Sequence, residues 1–222
     1  MFPLRDTQPS YRRPYVTMAI IAINVLVFLF EVSLDSWSRN EFVATYGLVA
    51  DRFSWANVLT SMFLHGGWMH VLGNMWFLWI FGDNIEDTLG HAKYLFFYLG
   101  CGAVAALTQV WFGADPRVPM VGASGAIAGV MGAYVVKFPH SRIYSLVTVI
   151  FFFTTMEIPA WIMLIWWFVT QFFNGVGSIA YSHTSQSGVA FFAHVGGFVA
   201  GAVGILLLAP RERYSRRRDL HW

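Results

Sequence analysis

Long stretches of this chain, roughly 19–21 residues each, carry at most one charged side chain and have the length a helix needs to cross the hydrocarbon of a bilayer. Residues 16–34, 94–112, 118–136 and 189–209 are such stretches, and another apolar block ends near Gly82. Composition agrees. Hydrophobic residues make up 57% of the 222 and charged residues 12%, about half the roughly 25% charge of a soluble domain. A soluble protein with a large core would instead alternate apolar and polar faces along its elements.

A sixth apolar region, residues 143–179, is interrupted at Glu157-Ile158-Pro159. Proline suits the first turn of a helix, so residues 159–179 are expected to form the fifth span. Residues 143–155 are too short to cross and are expected to lie at the interface. The expected fold class is an all-α membrane protein, a polytopic bundle of six transmembrane helices. Residues 1–15 would be a short cytoplasmic N-terminal segment, 16–209 the six-span domain, and 210–222 a basic cytoplasmic tail.

Charge supports that count. Six spans put Arg5, Arg12, Arg13, Lys93, Lys137, Arg142, Arg211, Arg213, Arg216, Arg217 and Arg218 inside, and only Arg39, Arg52 and Arg117 outside, which accounts for all 14 Lys and Arg. This is the positive-inside asymmetry; a seventh span would move the Arg-rich tail outside. The first fifteen residues lack the apolar core and cleavage site of a signal peptide, so the first block is expected to be a permanent span. The loop at about 35–64 is long and rich in aromatics (Trp37, Phe42, Tyr46, Phe53, Trp55). It needs structure of its own and is expected to rest against the membrane surface. Cys101 is alone, which excludes an internal disulfide or a cysteine metal cage.

Polar groups at membrane depth are costly and each needs a reason. Asn24 and Glu31 have no evident chemical partner, and Glu31 is expected near enough to the outer end to reach water. A serine between small residues is usually a packing residue, and a lone membrane histidine is usually an interhelical hydrogen bond. The combination of Ser124 and His194 is different. Ser124 lies in Gly122-Ala123-Ser124-Gly125, where glycines allow a sharp helix entry and a helix start offers free N–H groups to an anion. His194, in Ala193-His194-Val195-Gly196-Gly197, shares a helix face with Gly197 and Gly201, while Gly125, Gly129 and Gly132 form a second stripe. Two such faces let backbones approach closely, which would bring a base to a serine that is inert without one. His70 and Asn74 lie one above the other on a single helix face, and both can donate to an oxyanion. A zinc pair of His65 and His70 lacks a cysteine cluster or nearby carboxylate, and the HExxH pattern is absent. A paired-aspartate site is no better, because Asp83 has no second aspartate at membrane depth.

The stretches His65-Gly-Gly-Trp-Met-His70-Val-Leu-Gly-Asn74, Gly82-Asp-Asn-Ile-Glu86-Asp-Thr-Leu-Gly90, Gly122-Ala-Ser124-Gly125 and Ala193-His194-Val-Gly-Gly197 together resemble the rhomboid family, from about Trp55 to Gly204. The resemblance implies an intramembrane serine endopeptidase with a Ser-His dyad. Ser124 would be the nucleophile and His194 the general base and acid. Asn74, His70 and the Ser124 backbone N–H would hold the oxyanion, and Glu86 would be structural. It also implies a lateral gate on the fifth span, with Trp161, Trp166 and Phe172 as gate residues, and a cap at 177–188. The bland reading of those rings is a lipid-facing surface. Two departures stand out: Trp55 is followed by Ala56 where relatives often have arginine, and Ala128 occupies the place of an aromatic that stacks on the histidine.

Expected partners are transmembrane protein substrates that unwind near small or helix-breaking residues, and the lipid bilayer, with no nucleic acid. No cofactor or metal is expected. The location expected from the short N-terminus is a prokaryotic plasma membrane, with both termini cytoplasmic and the site opening to the extracytoplasmic side. The alternatives are a catalytically inactive rhomboid-like protein that binds membrane clients, and a small transporter or channel. The first usually lacks Ser or His; the second would show repeats or a charged midplane pathway.

Overall fold

The computed structural model describes residues 2–113, 115–149, 152–180 and 190–209. These contain eight α-helices: α1 (Tyr15–Ser33), α2 (Ser36–Tyr46), α3 (Trp55–Thr60), α4 (Trp68–Leu89), α5 (His91–Phe112), α6 (Ser124–Lys137), α7 (Ala160–Ala180) and α8 (Phe191–Leu208). Three of them, α1, α5 and α8, are long and apolar enough to cross a membrane. α6 and the apolar stretch Ala160–Asn174 of α7 are shorter, and α4 carries Asp83, Glu86 and Asp87 towards its C-terminus. The basic tail at 210–222 and most of the expected cap, 181–188, lie outside the described residues.

α6 and α8 pack backbone on backbone at the centre. A Cβ added at Gly197 would fall on the carbonyl oxygen of Gly125, one at Gly201 on that of Gly129, and one at Gly132 on that of Phe198. Only hydrogen fits at these crossings, so the two glycine stripes meet as the sequence predicts. α5 lies behind them, with Cys101 against Gly129 and Ala105 against Gly125. Tyr94, Tyr98, Tyr134, Phe81 and Leu78 fill the core beside this seam.

Far from Ser124, Glu86 of α4 caps the start of α1. Its Oε1 accepts from the Val16 N–H (2.9 Å), and its Oε2 from the Thr17 N–H (2.8 Å) and hydroxyl (2.7 Å). The first N–H groups of a helix have no intrahelical acceptor, and a carboxylate there also complements the helix dipole. His91 Nδ1 lies 2.6 Å from Oε1. Glu86 thus ties α1, α4 and α5 together at one end.

The segment after α6 departs from the all-α expectation. Residues 143–149 and 152–155 are not a lone interfacial segment but part of a sheet of three antiparallel strands in the order β1-β2-β3, with β1 at Phe2–Asp6, β2 at Arg142–Val149 and β3 at Phe152–Pro159. Ile143 pairs with Ile158 and Ser145 with Met156, while Arg5 faces Tyr144. The runs RIYSLVTV and FFTTMEIP are rich in β-branched and aromatic residues, which favour strands, and a third strand makes a hairpin independently stable. That third strand comes from residues 1–15, expected only as a short N-terminal segment. Trp76 Nε1 donates to Pro3 O (2.7 Å), and Tyr134 OH donates to Asp6 Oδ2 (2.6 Å). β3 runs directly into α7.

At the opposite end, the loop at 35–64 has its own structure, as its length requires. Asp35 caps α2 by accepting from the Trp37 and Ser38 N–H groups. Leu48 and Met120 exchange backbone hydrogen bonds (3.0 and 2.8 Å), and the Gly122 N–H donates to Ser61 O (2.8 Å). These bonds satisfy the extended chain before α6. The helix therefore starts at Ser124, six residues later than the apolar block, and is only about 21 Å long.

Two outcomes follow for stability in detergent. Gly201→Val, which forces a side chain into the Gly129 carbonyl, is expected to cost about 1–3 kcal/mol or more, read as a lower unfolding temperature. Burial pushes the Asp6 carboxyl up to about 6, against the pull of its Tyr134 hydrogen bond. The stabilisation linked to that raised value is complete below pH 3.8 and is lost as pH rises through about 6. Asp6→Asn should therefore melt higher than wild type at pH 8, by about 1 kcal/mol after allowing for partial solvent screening, and no higher at pH 4.

Candidate active site

Ser124 opens α6 and His194 sits in the first turn of α8. The glycine seam brings their side chains within one hydrogen bond, His194 Nε2 to Ser124 Oγ at 2.8 Å. The other ring nitrogen, Nδ1, lies 2.8 Å from Gln171 Oε1 on α7. One turn earlier on that helix, the Trp167 ring stands 5.5 Å from the imidazole centroid, tilted by 41°. An amide oxygen can only accept, so the Nδ1 facing it carries the proton. Nε2 then keeps its lone pair towards the serine hydroxyl, an assignment that follows from the amide's orientation. This is the tautomer a general base needs. The ring against the histidine thus comes from α7, and the residue four places after Ser124, Ala128, is a fully buried packing residue.

Two donors from α4 border the chain just before Ser124. Gly122 has φ +123°, and a Cβ there would lie 2.7 Å from His70 Nε2 and Cε1 and 3.5 Å from Asn74 Nδ2. The position is closed to other residues by both backbone conformation and space. His70 Nδ1 accepts from the Gly66 N–H at 3.4 Å, so a neutral His70 holds its proton on Nε2, the nitrogen beside Gly122. Asn74 Nδ2 lies 2.9 Å from His65 Nε2. α6 has no side-chain N-cap, which leaves the N–H groups of its first turn without intrahelical acceptors. Two side-chain donors and a helix N-terminus thus converge around Gly122–Ser124. An anion developing there would meet donors already oriented.

A narrow crevice beside Ser124 is bordered by Met62, Gly102, Ala105, Met120, Ala126 and Ala193. Apart from Ser61 and Ser124, its walls are small or apolar. Trp161, Trp166 and Phe172 of α7 are exposed. Among the described residues, no three His, Cys, Asp or Glu side chains gather as a metal-binding group.

Ser124, His194, Asn74 and His70 come together as the sequence reading expects. Three contributors lay outside that reading. Gln171 is an uncharged polar residue in an aromatic helix, and the cost of polarity at membrane depth is the signal that marks it. Glu31 was expected to reach water and to lack a partner; it is fully buried, and its Oε1 accepts from the His65 N–H at 3.1 Å. His65, weighed above only as half of a zinc pair, contacts Asn74 instead. Asn24 turns back on its own helix, donating to Ile20 O at 2.8 Å.

Known proteins are similar to this chain in sequence. The Putative rhomboid protease YdcA of Bacillus subtilis is 33% identical over 142 residues, which cover 60% of this chain and 68% of that protein. Rhomboid protein 1, mitochondrial, of Saccharomyces cerevisiae is 30% identical over 131 residues, 56% of this chain and 37% of its own length. The human Presenilin-associated rhomboid-like protein, mitochondrial, is 34% identical over 139 residues, 61% of this chain and 36% of its own. The chain thus spans little more than a third of the length of the two mitochondrial relatives. Residues 52–211 match the Rhomboid domain, a span that contains Asn74, His70, Ser124, Gln171 and His194, and on that match the chain belongs to the rhomboid family.

Proposed function

We propose that this protein is an intramembrane serine endopeptidase that hydrolyses peptide bonds in or next to transmembrane segments of membrane proteins. The observation that carries the reading is the 2.8 Å hydrogen bond between Ser124 Oγ and His194 Nε2, with Nδ1 engaged by Gln171 at 2.8 Å. The naming of Bacillus subtilis relatives as rhomboid proteases supports it. In this reading α1, α4, α5, α6, α7 and α8 are the six spans of one domain, residues 16–209. Both termini lie on the basic, cytoplasmic side, and Ser124 opens to the other. The exposed Trp161, Trp166 and Phe172 line the lateral route by which a substrate helix arrives.

His194 takes the Ser124 proton as Oγ attacks the scissile carbonyl. Charge then builds on the carbonyl oxygen, where Asn74 Nδ2, His70 Nε2 and the Ser124 N–H donate to it. The imidazolium passes its proton to the leaving amine, and water, activated by the same histidine, releases the acyl group. A helical substrate hides its carbonyls in its own hydrogen bonds. The bond cut is therefore one where the helix unwinds, beside a side chain small enough for the crevice at Gly102 and Ala105.

The test uses purified protein in detergent with a model transmembrane substrate. Ser124→Ala and His194→Ala are expected to abolish cleavage, and a fluorophosphonate should label wild type but not Ser124→Ala. Cleavage that survives in Ser124→Ala sinks the mechanism. Gln171→Leu removes the acceptor that fixes the His194 tautomer. It is expected to lower kcat by about 10–100-fold, the worth of a hydrogen bond to a group that becomes charged, with KM little changed. Gln171→Glu keeps an acceptor and should lose less. Wild-type kcat in Gln171→Leu would rule out that role.

A further inference from the structure

A line of buried polar groups connects α1 to the Asn74 amide without touching the dyad. Glu31, in the last turn of α1, is fully buried, and its Oε1 accepts the His65 backbone N–H at 3.1 Å. His65 is also fully buried, in the turn ahead of α4, and its Nε2 lies 2.9 Å from Asn74 Nδ2. Two rings hold the imidazole edge to face, Phe28 of α1 at 6.4 Å and His70 at 5.1 Å between centroids. Asn74 Nδ2 then borders Gly122, two residues before Ser124.

This line is a poor device for stability. Glu31 Oε2 and His65 Nδ1 are buried with no hydrogen-bond partner, and half-satisfied polar groups at depth cost more than apolar ones. What the line does supply is orientation. An asparagine amide has a donor end and an acceptor end. Because the Nδ2 group donates one hydrogen to His65 Nε2, the amide plane is fixed and the donor end lies beside Gly122. A flipped amide would turn Oδ1 towards the forming oxyanion and repel it.

We propose that Glu31 and His65 are positioning residues for Asn74. Glu31 pins the His65 main chain to α1, and the His65 imidazole holds the Asn74 amide with its NH2 group towards the Gly122–Ser124 turn. The proposal rests on the protease reading given above.

A double-mutant cycle tests it in the full-length protein with the same model substrate. Loss of an oriented oxyanion donor costs on the order of 10²–10³ in kcat, and loss of its support should cost about tenfold or more. Glu31→Ala and His65→Ala are each expected to show that drop with KM changed less than about twofold. In an Asn74→Ala background each should cost less than about twofold, because residues acting as a unit are not additive. Glu31→Gln keeps an acceptor and should recover most of the loss seen in Glu31→Ala. If Glu31→Ala does not fold, the His65→Ala arm carries the cycle, since it leaves the main-chain bond to Glu31 in place. Equal costs in both backgrounds, or no cost in either, overturn the proposal.

Imidazole ¹⁵N NMR gives a readout independent of turnover. His65 should be protonated on Nδ1 in wild type and shift towards the other tautomer in Glu31→Ala and Asn74→Ala. If wild type shows no Ser124-dependent cleavage while the His65 signal still responds, the protease reading fails and the positioning line stands. Ser124-dependent cleavage with an unresponsive His65 overturns the positioning line alone.

Discussion

Lipid gives two helices no hydrophobic reason to associate, because the surrounding tails are as apolar as their side chains. α6 and α8 therefore depend on close backbone contact, and that contact needs residues without side chains at Gly197 and Gly201. The same crossing sets the distance from Ser124 to His194. Each helix carries its reactive residue in its first turn, so the separation of the side chains is decided by how near the axes come. A bulky residue at the seam would part the axes and the dyad together. Packing and chemistry at this site are one constraint.

The two ends of the bundle are held in different ways. Away from the site, Glu86 satisfies three donors from α1, and the strands pair into a sheet that includes the first residues of the chain. Around Ser124 the backbone is held instead by main-chain hydrogen bonds from the loop, a pair between Leu48 and Met120 and one from Gly122 to Ser61. α7 links the ends, for it leaves β3 directly and presents Trp167 and Gln171, near its middle, to His194. α7 therefore couples the sheet at one end to the orientation of the His194 ring at the other.

How much of this is legible in sequence depends on where the stabilising partner lies. The apolar blocks and glycine stripes are local patterns imposed by the bilayer and by backbone contact, so the helices and the meeting of Ser124 with His194 can be read directly. The start of α6 at Ser124 cannot, because Met120 and Gly122 are tied to Leu48 and Ser61 from a distant loop. The sheet escapes for a similar reason: the partner that makes residues 142–149 a strand is Phe2–Asp6, at the other end of the sequence. Gln171 escapes because an aromatic helix has apolar groups on most sides, which hides the face it turns to α8. Glu31 escapes because its position near a helix end suggests water, while the main chain of loop residue His65 donates to it.

An amide beside the base, where a soluble hydrolase would place a carboxylate, has a physical logic at this depth. A buried carboxylate costs free energy in its charged form unless it is fully paired, and near hydrocarbon few groups are available to pair it. An amide oxygen selects the same tautomer without a charge to solvate. It gives up the strong attraction a carboxylate would offer the imidazolium of the proposed acyl transfer. The Trp167 ring, 5.5 Å from His194, can replace part of that attraction, since an aromatic face favours a cation and does so more strongly when desolvated. Neutral orientation from Gln171 and polarisable contact from Trp167 together suit a histidine that is uncharged at rest and charged only in passing.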